Sequence, residues 1–173
     1  MIESATLIKD HMRTYRLIHL AMVMGSVIYG IVAILIHETA PMKPIVTDMQ
    51  ILTTIKYASI PYIIIIMIAI KILRTKMLSS NSIFIKKELD KKTDEESDKP
   101  PFLANYLSQL FIIWAIIETI TIGGIILFLL SGELLFPLAI IAIGVFFKII
   151  NGPSFEELNQ LSTKYDSNSI QGI

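Results

Sequence analysis

The chain has 173 residues, of which 53% are hydrophobic and 17% are charged, and its mean hydropathy is +0.64. This composition is far more apolar than that of a soluble domain of the same size, and a formal net charge of zero gives no reason to expect nucleic acid as a partner. The lack of cysteine excludes disulfides, iron–sulfur clusters and thiolate metal sites. We therefore predict an all-α integral protein of a prokaryotic cytoplasmic membrane.

Four apolar segments are long enough to cross a bilayer, which takes roughly 17–25 residues. Each is apolar throughout rather than alternating, so transmembrane helices are predicted, paired as two hairpins. The first segment is predicted to be an uncleaved membrane anchor rather than a signal peptide. The segments are Leu17–Ile36, Tyr57–Leu73, Phe102–Leu130 and Leu134–Ile150. The resulting organisation is a leader (1–16), a first hairpin (17–75), a charged linker (76–101), a second hairpin (102–150) and a tail (151–173).

The basic residues predict the orientation, because loops rich in lysine and arginine stay on the cytoplasmic side. All but two of the 15 lysine and arginine residues lie in the leader, in or beside the linker, or at and after the end of the fourth segment. Only Lys43 and Lys56 fall on the opposite side, and the turn Ser131-Gly132-Glu133 has none. We therefore predict that both termini and the linker are cytoplasmic.

The tail contains a helix start signal. Ser154 and Glu157 have the spacing of a capping box, in which the serine side chain caps a backbone N–H and the glutamate reaches back. Phe155, Leu158 and Leu161 then fall on one side, so a short amphipathic helix is predicted there.

Small residues indicate places where helices approach closely. In the first segment Ala21 and Gly25, and likewise Ser26 and Gly30, have the small-xxx-small spacing, and in the third segment Gly123 and Gly124 are adjacent. Two interpretations remain open for these positions. They pack either against another helix of the same chain or against a second copy.

Glu118 is the candidate functional residue. It lies near the middle of the third segment, where a lone charge costs roughly 2.5–3.5 kcal/mol on insertion scales, so some compensating group is required. Polar groups near it are Trp114, Thr119 and Thr121. No lysine or arginine is expected at its depth, because Lys56, Lys71 and Lys148 are placed near segment ends.

Three roles therefore stay open for Glu118. It is a protonated acid hydrogen-bonded to Ser26, Tyr29, a threonine or a backbone carbonyl; or it exchanges a proton or an ion; or it contacts a polar group of a partner subunit or a cofactor. The three histidines lie far apart, so this chain alone is not expected to build a haem or zinc site, and no cofactor or metal is predicted. No catalytic set is evident at membrane depth, and an enzyme is not expected.

The third segment resembles the carboxylate-bearing helix of the rotor-ring proteolipids (c subunits) of F- and V-type ATP synthases. The likeness rests on Pro100, the stretch from Gln109 to Ile113, the acid Glu118 and the run from Gly123 to Ile126, and it covers about 33 of the 173 residues. It implies that Glu118 corresponds to the ion-carrying acid. The chain lacks that family's glycine-rich partner helix and short polar loop, so we expect a proteolipid-like helix rather than a ring subunit.

Taken together, the sequence predicts a small non-enzymatic membrane protein. We expect it to act as an accessory or scaffold subunit of a membrane complex, or as a homo-oligomer, with Glu118 as a buried polar tie. The alternative is proton or cation translocation with Glu118 as the ion-binding acid. Lipid and other membrane subunits, or further copies of the chain, are the expected partners.

Overall fold

A computed structural model describes residues 2–39, 43–77 and 101–171, and every regular element in this part of the chain is an α-helix. The five helices are α1 (Ile2–Thr39), α2 (Met49–Met77), α3 (Pro101–Ser131), α4 (Leu135–Ile150) and α5 (Phe155–Gln171). The prediction of an all-helical fold is confirmed for these residues. Most of the predicted linker 76–101 lies outside them.

Three helices are long and apolar enough to cross a membrane. Their candidate spans are Lys9–Thr39, Met49–Lys76 and Leu103–Ser131. Helix α4 has only 16 residues, about 24 Å at 1.5 Å per residue, which is short of a hydrocarbon core of about 30 Å. It qualifies as a fourth candidate only when it is taken together with α5 across the short break between them. The described helices therefore provide three candidate spans, or up to four.

Two helix starts differ from the expected segment borders. Helix α1 already begins at Ile2, so the polar leader continues the first apolar segment as one helix of 38 residues. Helix α2 begins at Met49, where the Asp48 carboxylate accepts hydrogen bonds from the backbone N–H groups of Gln50 (2.8 Å) and Ile51 (3.3 Å). These bonds satisfy donors that a helix N-terminus otherwise leaves without a partner.

The helices contribute to two compact units. The Glu118 unit consists of Leu20–Ile70 and Trp114–Asn151. The Tyr106 unit consists of the described residues of Met1–His19, Lys71–Ile113 and Gly152–Ile173.

In the Glu118 unit, α3 and α4 form a tight antiparallel hairpin. The turn is made by Gly132, whose φ of 68° lies in the left-handed region, and the Gly132 N–H donates to the Phe128 carbonyl at 2.8 Å. The Ser131 hydroxyl donates to the Leu127 carbonyl at 2.8 Å and accepts the Glu133 N–H at 3.2 Å. With the backbone groups of the turn satisfied in this way, the register of the two helices is fixed.

Small residues bring α3 and α4 into close contact. A Cβ atom at Gly124 would lie 2.7 Å from Ile141 Cγ1 and 3.0 Å from the Pro137 carbonyl oxygen, and a Cβ at Gly144 would collide with Thr121. At each of these glycines, atoms of the facing helix therefore occupy the space that a side chain would need. Side chains from α3 fill the core beside this contact: Trp114, Ile117, Ile120, Leu127 and Phe128 are buried.

In the Tyr106 unit, polar side chains hold the start of α5. The Arg74 guanidinium forms an ion pair with Glu157 and donates from Nε to Glu157 Oε1 at 2.8 Å. The Tyr106 hydroxyl accepts the Ser154 N–H at 2.9 Å and lies 3.2 Å from Glu157 Oε2. Leu158 is fully buried on the next turn of the helix. The tail helix is thus attached by charge, by hydrogen bonds and by apolar packing.

Candidate functional site

Glu118 faces two other helices of its unit. Its Oε2 atom accepts a hydrogen bond from the Ser26 hydroxyl of α1 at 3.1 Å and forms an ion pair with Lys148 Nζ of α4. The Ser26 and Lys148 side chains are almost entirely buried, whereas 19% of the Glu118 side chain is exposed. We call these three residues the charge cluster.

Each of the three N–H bonds of the Lys148 ammonium group has an acceptor within reach. These acceptors are Glu118 Oε2, Ser26 Oγ at 2.5 Å and the Met22 carbonyl oxygen at 3.3 Å. A buried charge is costly unless it is paired and hydrogen-bonded, and here both conditions are met within one chain. The cluster therefore connects α1, α3 and α4 through polar contacts.

The expectation that Glu118 has no basic partner is wrong. Lys148 is indeed close to the C-terminus of α4, but α4 has 16 residues and α3 has 31, so the end of α4 is level with the middle of α3. Counted from the turn, Glu118 lies 13 residues before Ser131 and Lys148 lies 13 residues after Leu135, about 20 Å along each helix. The two side chains are therefore at the same level. The pair could have been predicted from the sequence by counting residues outward from the turn of the predicted hairpin along both helices.

The pair belongs to a regular seam between α3 and α4. Trp114 is fully buried and its Nε1–H donates to the Asn151 carbonyl oxygen at 3.0 Å. After Trp114, the next α3 residues that contact α4 are Glu118, Thr121 and Gly124, so the intervals along α3 are four, three and three residues. Their counterparts on α4 and just after it are Asn151, Lys148, Gly144 and Ile141, in steps of three, four and three. This spacing keeps one face of each helix turned toward the other.

The other polar residues expected near Glu118 lie elsewhere. The Thr119 hydroxyl donates to the Ile116 carbonyl oxygen and accepts from the Tyr62 hydroxyl at 2.9 Å. Thr121 is buried against Gly144, and its hydroxyl has no hydrogen-bond partner among the described residues. Tyr29 is 37% exposed and, in the described ranges, makes no hydrogen bond to Glu118. Among the described residues, Ser26 is the one expected donor that hydrogen-bonds to the Glu118 carboxylate.

The glycines expected at helix contacts fall into two groups. Gly30 and Gly124 face α4, and a Cβ at Gly30 would meet Leu138 and Ile141 at ordinary contact distances of 3.5 and 3.6 Å. At Gly25 and Gly123, by contrast, no atom of the described ranges comes within 4 Å of a Cβ position. Ala21 is exposed. The first group packs inside this chain, and the second is available for lipid or for another molecule.

Among the described residues no group of three or more His, Cys, Asp or Glu side chains could hold a metal ion. Compared with models of protein families, with curated proteins and with solved structures, the chain shows no match. The charge cluster and its surroundings therefore provide the basis for a functional proposal.

Proposed function

We propose that the chain is a non-enzymatic integral membrane protein that serves as an accessory or scaffold subunit of a membrane complex, or assembles with further copies of itself. The observation that carries this proposal is the charge cluster, in which Glu118, Lys148 and Ser26 bind one another. Polar groups that satisfy each other within the chain act as a structural tie, because separating them would expose charge to hydrocarbon.

The proposal includes a topology of four spans arranged as two hairpins, with both termini and the linker in the cytoplasm. The unequal distribution of lysine and arginine supports this orientation. The large apolar side chains exposed on α1 and α2 support contact with lipid, since a soluble protein rarely exposes a continuous apolar surface of this extent. Helix α4 then spans with the help of flanking polar residues or local thinning of the bilayer.

Two substitutions of Glu118 test the structural role. Glu118→Gln keeps the shape and the hydrogen-bonding ability of the side chain but removes its charge, and Glu118→Leu removes both. If the residue is a tie, both variants lose stability in detergent because the buried Lys148 loses its carboxylate, but the Gln variant loses less than the Leu variant because its amide oxygen still accepts hydrogen bonds from Ser26 and Lys148. Equal stability of the wild-type protein and the Leu variant would rule out the tie.

A second candidate function, proton or cation translocation through Glu118, is favoured by one observation. The Glu118 side chain is 19% exposed, whereas the Lys148 side chain beside it is 1% exposed, so an ion or a carbodiimide can approach the pair from the side of the acid. The resemblance of α3 to the proteolipid helix belongs to this candidate. Here both Glu118→Gln and Glu118→Leu abolish proton flux into liposomes that contain the protein, and pH-dependent carbodiimide labelling falls on Glu118.

A further inference from the structure

An apolar groove lies between α2 and α3 within the Glu118 unit, with Ile140 of α4 at its base. Its volume is about 370 Å³, and among the described residues that line it only Ser59 and Tyr62 have polar side chains. Apolar lining residues include Ile55, Ala58, Ile63, Ile120, Ile126 and Leu127. The open space around Gly123 is part of this groove, because no side chain fills it.

The groove is long and narrow, as a hydrocarbon chain is. Along α3 it extends from Ile120 to Leu130, which is about 15 Å at 1.5 Å per residue. A whole helix of that length, about 10 Å wide, occupies roughly 1,200 Å³, so the groove can take up side chains or a hydrocarbon chain but not the backbone of a helix. The two residues on its open side, Tyr62 and Ile126, are themselves 45% and 51% exposed. Lipid hydrocarbon can therefore enter from the side.

A pair of opposite charges lies just beyond the residues that line one end of the groove. Lys56 Nζ donates to both Glu133 oxygens at 2.7 and 2.6 Å, and the two side chains are 26% and 46% exposed. Lys56 is adjacent to Ile55 of the lining, and Glu133 follows Leu130 by three residues. Because the pair is accessible, an ammonium and a carboxylate are both presented to a molecule whose tail occupies the groove.

We propose that the groove binds one acyl chain of a phospholipid with a zwitterionic, amine-bearing headgroup, whose phosphate contacts Lys56 and whose ammonium contacts Glu133. The charges are complementary: the third N–H of the lysine serves a phosphate oxygen, and a carboxylate oxygen accepts from the amine. The tail gains no hydrophobic free energy on leaving the bilayer, since lipid is already apolar. The headgroup contacts therefore determine which phospholipid is bound, and the groove only has to match the shape of the acyl chain.

Lipid retention in native mass spectrometry tests the tail site. The wild-type protein is purified and mixed with equal amounts of phosphatidylethanolamine and phosphatidylglycerol. Gly123→Leu places a side chain in the groove and lowers retained phosphatidylethanolamine about fivefold. Gly25→Leu is the matched control, because it also adds a leucine at an open glycine of a long helix but outside the groove, and it leaves retention unchanged. Ile126→Phe is a second variant in the lining, in case Gly123→Leu does not fold.

The headgroup is tested by the double variant Lys56→Gln/Glu133→Gln. The wild-type protein retains phosphatidylethanolamine about fivefold over phosphatidylglycerol, and this preference disappears in the double variant. Equal retention of the two lipids by the wild-type protein, or an unchanged preference in the double variant, would refute the headgroup assignment and with it the proposal. So would efficient disulfide formation between two copies of Gly123→Cys in this otherwise cysteine-free chain, because the groove would then hold a second copy.

Discussion

Gly144 of α4 lies directly against Thr121 of α3, and there is no room between the two helices for a Cβ atom at position 144. One turn toward the end of α4, Lys148 reaches Glu118 on α3. The ion pair depends on the close approach, because a wider separation of the helices would withdraw the ammonium from the carboxylate. The contact between Gly144 and Thr121 thus positions the charge cluster.

We predict that Gly144→Ala destabilises the protein by about 1–3 kcal/mol, because the added methyl group forces α3 and α4 apart. Gly25→Ala is the control: its Cβ meets open space, and the substitution raises helix propensity. The measurement is thermal or SDS-induced unfolding, followed by fluorescence of the single tryptophan, Trp114, which is fully buried. Equal stability of the two variants would contradict the close approach.

The second prediction concerns the ion pair itself. Lys148→Met alone should destabilise the protein by about 3–5 kcal/mol, because the carboxylate of Glu118 is left without its cation. The double variant Glu118→Leu/Lys148→Met should recover most of this loss, since two apolar side chains of similar volume need no partner. A double-mutant cycle in detergent measures the coupling. Additive effects of the two substitutions would mean that the side chains do not interact.

The third prediction concerns the attachment of α5. Glu157→Gln should weaken the contact with Arg74 and release the tail helix to limited proteolysis, at a cost of about 1–2 kcal/mol for the lost charged hydrogen bond. Glu156→Gln is the matched control, because Glu156 is the preceding residue and is exposed. Identical digestion rates for the two variants would show that the ion pair does not hold the helix.

The fourth prediction concerns topology. Single cysteines at Thr47 and Thr163 place one thiol in the exposed loop before α2 and another on the exposed side of α5. With both termini cytoplasmic, an impermeant thiol reagent added to intact cells labels Thr47→Cys and spares Thr163→Cys until the cells are opened. The reverse pattern would invert the proposed orientation.

The amino-acid sequence alone determined the helical class, the apolar segments and the residue whose charge needs a partner. Hydrophobicity is a local property, so a long apolar segment indicates a helix whatever surrounds it, and a carboxylate within such a segment is costly wherever the helix packs. For this reason the sequence points to Glu118, and it offers Ser26 among the possible donors to that carboxylate.

The partner of that charge depended on the tertiary structure. The tight turn at Gly132 and the unequal lengths of α3 and α4 set the level of Lys148, so that a lysine close to one helix end meets a glutamate in the middle of the other. The same packing separated Gly124, which is pressed against α4, from its neighbour Gly123, which faces an open groove. Composition and residue spacing do not distinguish Gly123 from Gly124. Only the register and rotation of the packed helices decide which side chains meet, because both are properties of the helix pair rather than of either segment.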